Sequence, residues 1–204
     1  MIAIVDYGLG NVHAIANIYK RLNIPATLAD QPDKLRDASH IVLPGVGAFD
    51  WAMSQLDGSG MRGALEDAVR DKRTPVLGIC VGMQMLAKRS DEGQLDGLGW
   101  IDADVRKFDV TRMTTRTRLP HMGWNDVRPR AGSPLFAGME HDATFYFLHS
   151  YYFAPRDPAD VLAQTDYHGE FACAVQAGNV YGVQFHPEKS HRWGISLLKN
   201  FAQV

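Results

Sequence analysis

Short apolar runs alternate with amphipathic stretches through the first half of the chain. Runs of nearly continuous hydrophobicity are typical of strands buried on both faces. The predicted strands are Ile2–Val5, Ala26–Ala29, residues 40–43 and residues 75–79. Between them, apolar side chains recur at helical spacing, at Val12, Ile15, Ala16, Tyr19 and Leu22 and again at Met61, Ala64, Leu65, Ala68 and Val69. This alternation predicts an α/β fold with a mostly parallel sheet and helices on both faces.

The pattern changes after Gly93, where turns and short β-like runs replace the alternation. These runs cover residues 100–107, 123–127, 144–148, 161–164, 171–177 and 180–184. We expect them to be antiparallel strands that extend or cover the parallel sheet. Ile195, Leu198 and Phe201 then mark a closing helix.

The composition narrows the class of protein. A chain of 204 residues suits one domain, and its 46% hydrophobic content supports a full core. A formal net charge of −2 gives no reason to expect a nucleic acid or a membrane as partner. Two distant cysteines, Cys80 and Cys173, suit a reducing compartment better than a disulfide scaffold or a zinc site. With no basic leader and no membrane-length apolar run, we expect a soluble cytoplasmic protein without a metal or other cofactor.

The predicted strand at residues 75–79 leads into a turn that carries a thiol, Gly78-Ile79-Cys80-Val81-Gly82, followed by helix formers. A strand, a tight turn and a helix in this order form the cysteine version of a nucleophile elbow. The sharp turn exposes the side chain, the glycines leave room for the turn and for substrate, and the helix start favours the thiolate. A buried structural cysteine beside two packing glycines would produce the same sequence.

The strand predicted at residues 40–43 ends in a second glycine-containing turn, Pro44-Gly45-Val46-Gly47-Ala48-Phe49. Two glycines around a valine allow the backbone to approach a ligand closely or to reorient a peptide group. A simple strand-to-helix turn is the alternative. This turn and Cys80 both lie at the carboxyl edge of the predicted sheet, where open α/β sheets carry their reactive groups.

Near the end of the chain, an apolar run closes in His186-Pro187-Glu188-Lys189. A cysteine nucleophile needs a base, and the base needs a group that orients it. On an extended segment stiffened by Pro187, the side chains of His186 and Glu188 would leave the same face. Glu188 could then hold one imidazole nitrogen while the other faces a sulfur. A surface histidine and glutamate are the alternative, but Cys80 in the same chain favours the catalytic interpretation.

Two further histidines lie among aromatic residues. We interpret the segments around His121 and His149 as core aromatic strands followed by turns, which could also line a pocket mouth or a partner surface. Cys173 is interpreted as a packing residue. Arginines enrich the middle of the chain, including residues 111–118, and a solvated face is favoured there over a docking face.

These motifs resemble those of the class I, or triad, glutamine amidotransferases over nearly the whole chain. The Cys80 turn and His186-Pro187-Glu188 match motifs shared across that class. Pro44-Gly45-Val46-Gly47 and Pro120-His121-Met122-Gly123-Trp124 resemble, more narrowly, the glutaminase subunits of histidine biosynthesis. Residues 111–118 match no motif of these proteins. The resemblance implies one flavodoxin-like three-layer domain over residues 1–204, with a mostly parallel central sheet and an antiparallel extension in the C-terminal half.

The resemblance also implies a role for each candidate residue. Cys80 would be the nucleophile, His186 the acid and base, and Glu188 its orienting partner. An oxyanion hole would use the backbone of Val81 and, if a peptide reorients, of Val46 and Gly47. L-glutamine would be held by Gly45, Gln84, His149, Ser150 and Tyr151. The residues implied to face a partner are Asn11, Met122, Trp124 and Lys189.

The implied partner is a separate (β/α)₈ cyclase that uses ammonia to make imidazole glycerol phosphate and an aminoimidazole carboxamide ribotide. Ammonia released into neutral water is mostly protonated, and this chain has no room for a second catalytic domain. Three other interpretations stay open. They are a paralogous glutaminase subunit that serves another synthase, for example in sugar amidation for surface polysaccharides, a stand-alone cysteine hydrolase, and a non-catalytic interaction module.

Overall fold

A computed structural model describes residues 1–109, 111 and 118–204 of the chain. The first half contains β1 (Ile2–Val5), α1 (Val12–Arg21), β2 (Ala26–Ala29), β3 (His40–Gly45), α2 (Phe49–Gly58), α3 (Arg62–Glu66), β4 (Val76–Cys80) and α4 (Val81–Gln84). All four strands predicted in this half are confirmed. The predicted helix from Val12 is also confirmed, with Val12, Ile15 and Tyr19 buried.

The second half consists mainly of strands. They are β5 (Arg89–Ser90), β6 (Ala103–Lys107), β7 (His121–Asp126), β8 (Arg128–Pro129), β9 (Thr144–His149), β10 (Tyr151–Pro155), β11 (Val161–Asp166), β12 (Glu170–Ala177) and β13 (Val180–Val183). The chain closes with the predicted helix, α5 (His191–Phe201).

The main sheet has the strand order β2-β1-β3-β4-β13-β12-β10-β6-β5, and β11 joins β12 to β8 at one side. Strands β2, β1, β3, β4 and β13 are parallel. The antiparallel extension begins where β12 pairs with β13. Strands β7 and β9 form a separate antiparallel ribbon. The α/β class and the C-terminal extension predicted from the sequence are therefore confirmed.

One strand orientation differs from the prediction. The run at residues 180–184 was expected to be antiparallel, but β13 lies parallel to β4 and completes the parallel part of the sheet. All four residues of β13 are buried. A short apolar run suits a parallel or an antiparallel strand equally well, so its direction depends on the neighbours it meets.

Two helices also differ from the prediction. Helix α2 was not predicted, although Phe49, Ala52, Met53 and Leu56 follow helical spacing and are buried. The helix predicted after the Cys80 turn is short and ends at Gln84. Beyond it the chain forms tighter turns and then, at Lys88, donates its backbone N–H to Ala103 O of β6 at 2.9 Å. Sheet pairing thus takes over from the helix.

The parallel strands bring three chain segments to one edge. Right-handed crossovers place α1 on one face of the sheet, and α2 and α3 on the other, because the strand order reverses between β1 and β3. The carboxyl ends of β3, β4 and β13 lie side by side at this edge. Among the residues described, no helix is both long and apolar enough to cross a membrane.

Candidate active site

Cys80 occupies the strained turn between β4 and α4. Its backbone has φ 56° and ψ −114°, a conformation that side-chain-bearing residues adopt rarely. This conformation is that of a nucleophile elbow, as the sequence predicted. The flanking glycines, however, make room for backbone rather than for substrate. A Cβ at Gly82 would lie 1.9 Å from Leu43 O, and one at Gly78 would lie 2.7 Å from Gly82 O.

The end of β3 packs directly against this turn. Gly45 pairs with Cys80 in register, and a Cβ at Gly45 would lie 2.4 Å from the Gly82 nitrogen. Only a glycine fits at position 45, because the backbones of β3 and α4 approach each other closely here. Gly47 has a left-handed backbone with φ 88°, and the nearest atom to a Cβ there would be Trp51 Cδ1 at 3.8 Å. Gly47 is needed for its conformation rather than for space.

His186 follows β13 and is fixed at both its side chain and its backbone. Its Nδ1 lies 2.9 Å from Glu188 Oε1. Its N–H donates to Tyr146 O of β9, and its carbonyl accepts from the buried Ser190 hydroxyl. The predicted extended backbone is wrong, because Pro187–Lys189 form a 3₁₀ turn. The extended conformation of His186 itself still brings the two side chains together.

The charge state of His186 is set by its neighbours. Burial alone would lower the pKa of His186, because it disfavours the imidazolium form. Hydrogen bonding to Cys80 and Glu188, together with electrostatic attraction to these two side chains, outweighs burial and raises the pKa of His186 to about 9. At neutral pH the ring is therefore protonated beside the sulfur.

Cys80 and His186 meet at a cavity of about 280 Å³. The residues that line it are Val46, Gly47, Cys80, Val81, Gln84, Glu92, Pro120, Leu148, His149, Ser150, Tyr151, His186 and Lys189. Glu188 and Gly45 do not line the cavity, but each contacts a residue that does: Glu188 holds His186, and Gly45 pairs with Cys80. The structure thus collects most of the predicted site residues around one space of small-molecule size.

Glu92 is a cavity residue that was not predicted from the sequence. Its carboxylate accepts a hydrogen bond from the Phe49 N–H at 2.9 Å and so caps the start of α2. A polar loop residue of this kind carries no periodic signal, so only the tertiary fold reveals its place. A carboxylate on the cavity wall suits a substrate with an ammonium group.

A buried amide network lies behind the nucleophile. Gln84 Nε2 donates to Tyr151 O at 3.2 Å and to Gln184 Oε1 at 3.0 Å. Gln184 Nε2 in turn lies 3.9 Å from Cys80 Sγ. Gln184 is fully buried and was also not predicted as a site residue, because its position in an apolar strand resembled the core.

His121 and His149 lie in the aromatic core of the β7–β9 ribbon, as their sequence context predicted. Their Nδ1 and Nε2 atoms are 2.9 Å apart. Burial lowers the pKa of His121 to about 4. Burial also lowers the pKa of His149 to about 3, and positive charge on His121 and His186 adds to the effect. Both rings are neutral at physiological pH.

These depressed pKa values predict acid sensitivity. The unfolded chain binds protons at both histidines near pH 6.5, whereas the folded chain does so only near pH 4 and 3. Stability is therefore full above pH 6.5 and falls as the pH is lowered, by roughly 2 kcal/mol for each histidine by pH 5. Urea unfolding followed between pH 6.5 and pH 5 should show this loss.

The matched control is His121→Phe, which should lose about half of this pH dependence. His186 does not obscure the result. Because its pKa is raised, its contribution is complete below pH 6.5 and is lost only as the pH rises towards about 9. A free energy of unfolding that stays constant over this interval would contradict the prediction.

The outer face of the β7–β9 ribbon is apolar and exposed. Met122 lies opposite Leu148 and Trp124 opposite Tyr146 in register, and we call these four side chains the ribbon face. Met122 is 65% and Trp124 48% exposed. Trp124 also stacks on His191 with ring centroids 5.2 Å apart. Exposed apolar side chains grouped in this way are typical of surfaces that bind another molecule.

The two remaining predicted partner residues are Lys189, which lies beside the ribbon face, and Asn11. Lys189 lines the cavity and places its Nζ 5.7 Å from the centre of the Tyr146 ring. Asn11 precedes α1 and is exposed, and its side chain makes no capping hydrogen bond to that helix. Of residues 111–118, only Thr111 and Arg118 belong to the described part, so the predicted solvated face there lies largely outside it. Within the described residues, no cluster of three or more potential metal ligands occurs.

A thiol on a strained strand-to-helix turn, paired across the sheet edge with a histidine held by a glutamate, is the arrangement of a triad hydrolase. The sequence model of the class-I glutamine amidotransferases matches residues 3–204, and the chain belongs to this family of glutamine-hydrolysing enzymes. A protein from Thermoplasma acidophilum, described as one chain of a GMP synthase, shares the fold. It has a TM-score of 0.72 at 22% identity, over 99% of this chain and 92% of that one.

Two proteins of higher sequence identity are both named as subunits of imidazole glycerol phosphate synthase. The chain is 58% identical over 204 residues to imidazole glycerol phosphate synthase subunit HisH from Bdellovibrio bacteriovorus, and the alignment covers both proteins completely. It is 46% identical, again over all of both proteins, to imidazole glycerol phosphate synthase subunit HisH 2 from Pseudomonas aeruginosa.

Proposed function

We propose that this chain is the glutaminase subunit of an imidazole glycerol phosphate synthase, acting in the cytoplasm in histidine biosynthesis. It hydrolyses L-glutamine to glutamate and ammonia and passes the ammonia to a cyclase subunit. The observation that carries this proposal is the shared cavity of Cys80 and the His186–Glu188 pair, in a chain 58% identical to a subunit with that name.

The reaction begins with the Cys80 thiolate, which attacks the side-chain amide carbon of glutamine. The imidazolium of His186 protonates the leaving nitrogen, so ammonia departs and a glutamyl thioester remains. Neutral His186 then takes a proton from water as the water attacks the thioester. Collapse of this second adduct expels the Cys80 thiolate and releases glutamate, which restores the starting pair of thiolate and protonated His186. Glu188 stabilises the imidazolium and fixes the ring through Nδ1.

Each attack places negative charge on the former carbonyl oxygen. Val81 at the start of α4 offers one backbone N–H, and Val46 and Gly47 line the cavity as the source of a second. A second donor from Gly47 requires its peptide to turn inward, and a glycine makes that reorientation inexpensive. Docking of a partner beside Val46 would then switch the oxyanion hole on.

Residues around the cavity wall recognise the rest of glutamine. Gln84 and the backbone of residues 149–151 hold the amino-acid end of the substrate. Glu92 adds a negative charge that suits its α-ammonium group. Together these groups favour an amino-acid amide over an uncharged amide.

The cyclase docks on the ribbon face, beside the cavity from which ammonia must leave. Ammonia needs a dry route, because protonation in water removes its nucleophilic lone pair. The apolar side chains of the ribbon face, with Lys189 and Asn11 at its border, provide the surface for a (β/α)₈ partner. Covering this face would seal the exit from bulk water.

Trp124→Ala should weaken cyclase binding by about 30-fold, or roughly 2 kcal/mol, because an exposed tryptophan in an apolar patch is a typical hot spot. Titration calorimetry with the cyclase measures the loss. Glutaminase activity should recover when the cyclase is added in excess, since Trp124 does not line the cavity. Unchanged affinity would place the docking surface elsewhere.

The proposal is tested by measuring glutamate release from the isolated chain and from the chain mixed with a cyclase and the nucleotide ligand of that cyclase. We expect strong stimulation by the liganded cyclase. Rapid hydrolysis of unrelated amides without stimulation would instead indicate a stand-alone hydrolase. Complete inactivity with every partner would support a non-catalytic interaction module.

A second candidate is a paralogous glutaminase subunit that feeds another synthase. The relative from Pseudomonas aeruginosa bears the number 2 in its name, which indicates that one organism can carry more than one such subunit. Affinity capture of the partner from the native organism distinguishes the two. A cyclase partner supports the first candidate, and a sugar-modifying synthase supports the second.

A further inference from the structure

A chain of hydrogen bonds runs behind the cavity wall from strand β7 to Tyr151. Asn125 Nδ2 lies 3.3 Å from His121 Nε2, and His121 Nδ1 lies 2.9 Å from His149 Nε2. His149 Nδ1 lies 2.7 Å from Tyr151 O. His121 and His149 are both buried, so water does not substitute for these contacts.

The direction of every bond in this chain follows from its two ends. The Tyr151 carbonyl can only accept, so His149 Nδ1 carries a proton and, in the neutral ring, Nε2 accepts. His121 Nδ1 must then donate, which leaves its Nε2 as an acceptor. Asn125 supplies that donor, and its amide orientation is set because Nδ2 also donates to Asp166 O and Oδ1 accepts from Asp126 N. Both histidines are therefore neutral and protonated on Nδ1.

The series of hydrogen bonds continues beyond Tyr151 to the nucleophile. The same carbonyl oxygen accepts from Gln84 Nε2, which also donates to Gln184 Oε1. Gln184 Nε2 lies 3.9 Å from Cys80 Sγ. Tyr151 O is thus the junction between the histidine pair and the amides behind Cys80.

Aromatic packing holds the His121 ring in the orientation that this series of hydrogen bonds requires. Its ring is stacked between Tyr167, at 3.8 Å between centroids, and Phe147, at 4.7 Å. The ring plane is therefore restricted independently of the hydrogen bonds, and removal of the hydrogen bonds can be separated from removal of the packing.

We propose that His121 and His149 are positioning residues of glutamine binding, which act as a tautomer-locked pair that sets the Tyr151 carbonyl on the cavity wall. The proposal rests on the glutaminase function argued above. Neither the triad nor the oxyanion hole requires this pair. The histidine pair acts on the shape of the cavity wall formed by residues 149–151. It therefore affects the affinity for glutamine rather than the bond-breaking step.

The test is His121→Phe, which retains a stacked ring and removes both polar atoms. His149 Nε2 then loses its buried donor, so the bond from His149 to Tyr151 O is weakened or lost. We expect KM for glutamine to rise about tenfold, while kcat changes by less than about threefold, as measured with the liganded cyclase. A merely structural role would reduce the amount of folded enzyme, lowering kcat and leaving KM unchanged.

Two further variants complete the design. His121→Asn places an amide nitrogen near the former Nδ1 and should restore KM to within about threefold of the original. Tyr167→Phe keeps the stack on His121 and removes only a hydroxyl that donates to Arg118 O, so its KM should not change. An original KM in His121→Phe, or a tenfold rise in Tyr167→Phe, would overturn the proposal.

Long-range ¹H–¹⁵N spectra of the histidine side chains provide a readout that does not depend on activity. His121 and His149 should both show the neutral Nδ1–H tautomer at pH 7, assigned by their disappearance in His121→Phe and His149→Phe. An Nε2–H tautomer or an imidazolium at either position would overturn the proposal. Inactivity of the original chain with every cyclase would instead contradict the glutaminase function and leave the tautomer result to stand on its own.

Discussion

Replacing Cys80 with alanine is expected to abolish glutamine hydrolysis, with a loss of about 10⁴-fold or more in kcat, because no other group can form the thioester. Ser150 also lines the cavity, but it does not occupy the strained turn that presents Cys80 to His186. Glutamate release in the presence of the liganded cyclase measures the effect. The cyclase should still bind, since the ribbon face is untouched.

The chain supplies a matched control in its other cysteine. Cys173 lies fully buried in β12, and burial raises the pKa of its thiol well above the ordinary range. Cys173→Ala removes a thiol of the same type from the core and should leave kcat and KM unchanged. If Cys80→Ala kept more than a few per cent of the original rate, or if Cys173→Ala lost activity to the same extent, Cys80 would not be the nucleophile.

Gly47→Val is expected to lower kcat by about 10²- to 10³-fold, the usual loss for one oxyanion donor. Gly47 has φ 88°, which a β-branched residue strongly resists. There is enough space for a Cβ at position 47, because the nearest atom to it, Trp51 Cδ1, would be 3.8 Å away. The substitution therefore acts on the backbone conformation of the segment that we propose presents its N–H to the substrate.

Gly60 separates this effect from ordinary backbone strain. It lies between α2 and α3 with φ 73° and has no atom within 4 Å of a Cβ. Gly60→Val should reduce stability by a similar amount, on the order of 1–2 kcal/mol, and leave kcat unchanged. Thermal unfolding and steady-state kinetics of both variants provide the comparison. Full activity in Gly47→Val would refute a role for this peptide in the oxyanion hole.

The two predictions concern different parts of one reaction, and their outcomes can be distinguished. Loss of Cys80 removes the covalent step, so no glutamyl thioester forms. Loss of Gly47 slows formation of that thioester without removing the nucleophile. Mass spectrometry of the enzyme after treatment with an electrophilic glutamine analogue should therefore show no labelling of Cys80→Ala and slow labelling of Gly47→Val at Cys80.

The sequence by itself determined the features that depend on local patterns. Continuous apolar runs predicted the first four parallel strands, β1 to β4, and helical spacing predicted α1 and α5. The glycines around Cys80 predicted the strained turn, because few sequences allow a side chain at a sharp strand-to-helix junction. The short spacing of His186 and Glu188 predicted their pairing, although the backbone between them forms a 3₁₀ turn rather than an extended segment.

Only the tertiary structure decided which distant groups meet. The parallel pairing of β13 with β4 brings His186 to the edge that carries Cys80, and a short apolar run does not reveal its own direction. The same holds for Glu92 and Gln184, whose importance comes from partners far away in the chain. The hydrophobic periodicity of a sequence indicates burial and local backbone shape. The partner of each polar group depends instead on how distant segments pack together. For that reason the sequence alone could indicate candidate residues and local turns of this site, whereas the arrangement of the distant groups depends on the tertiary structure.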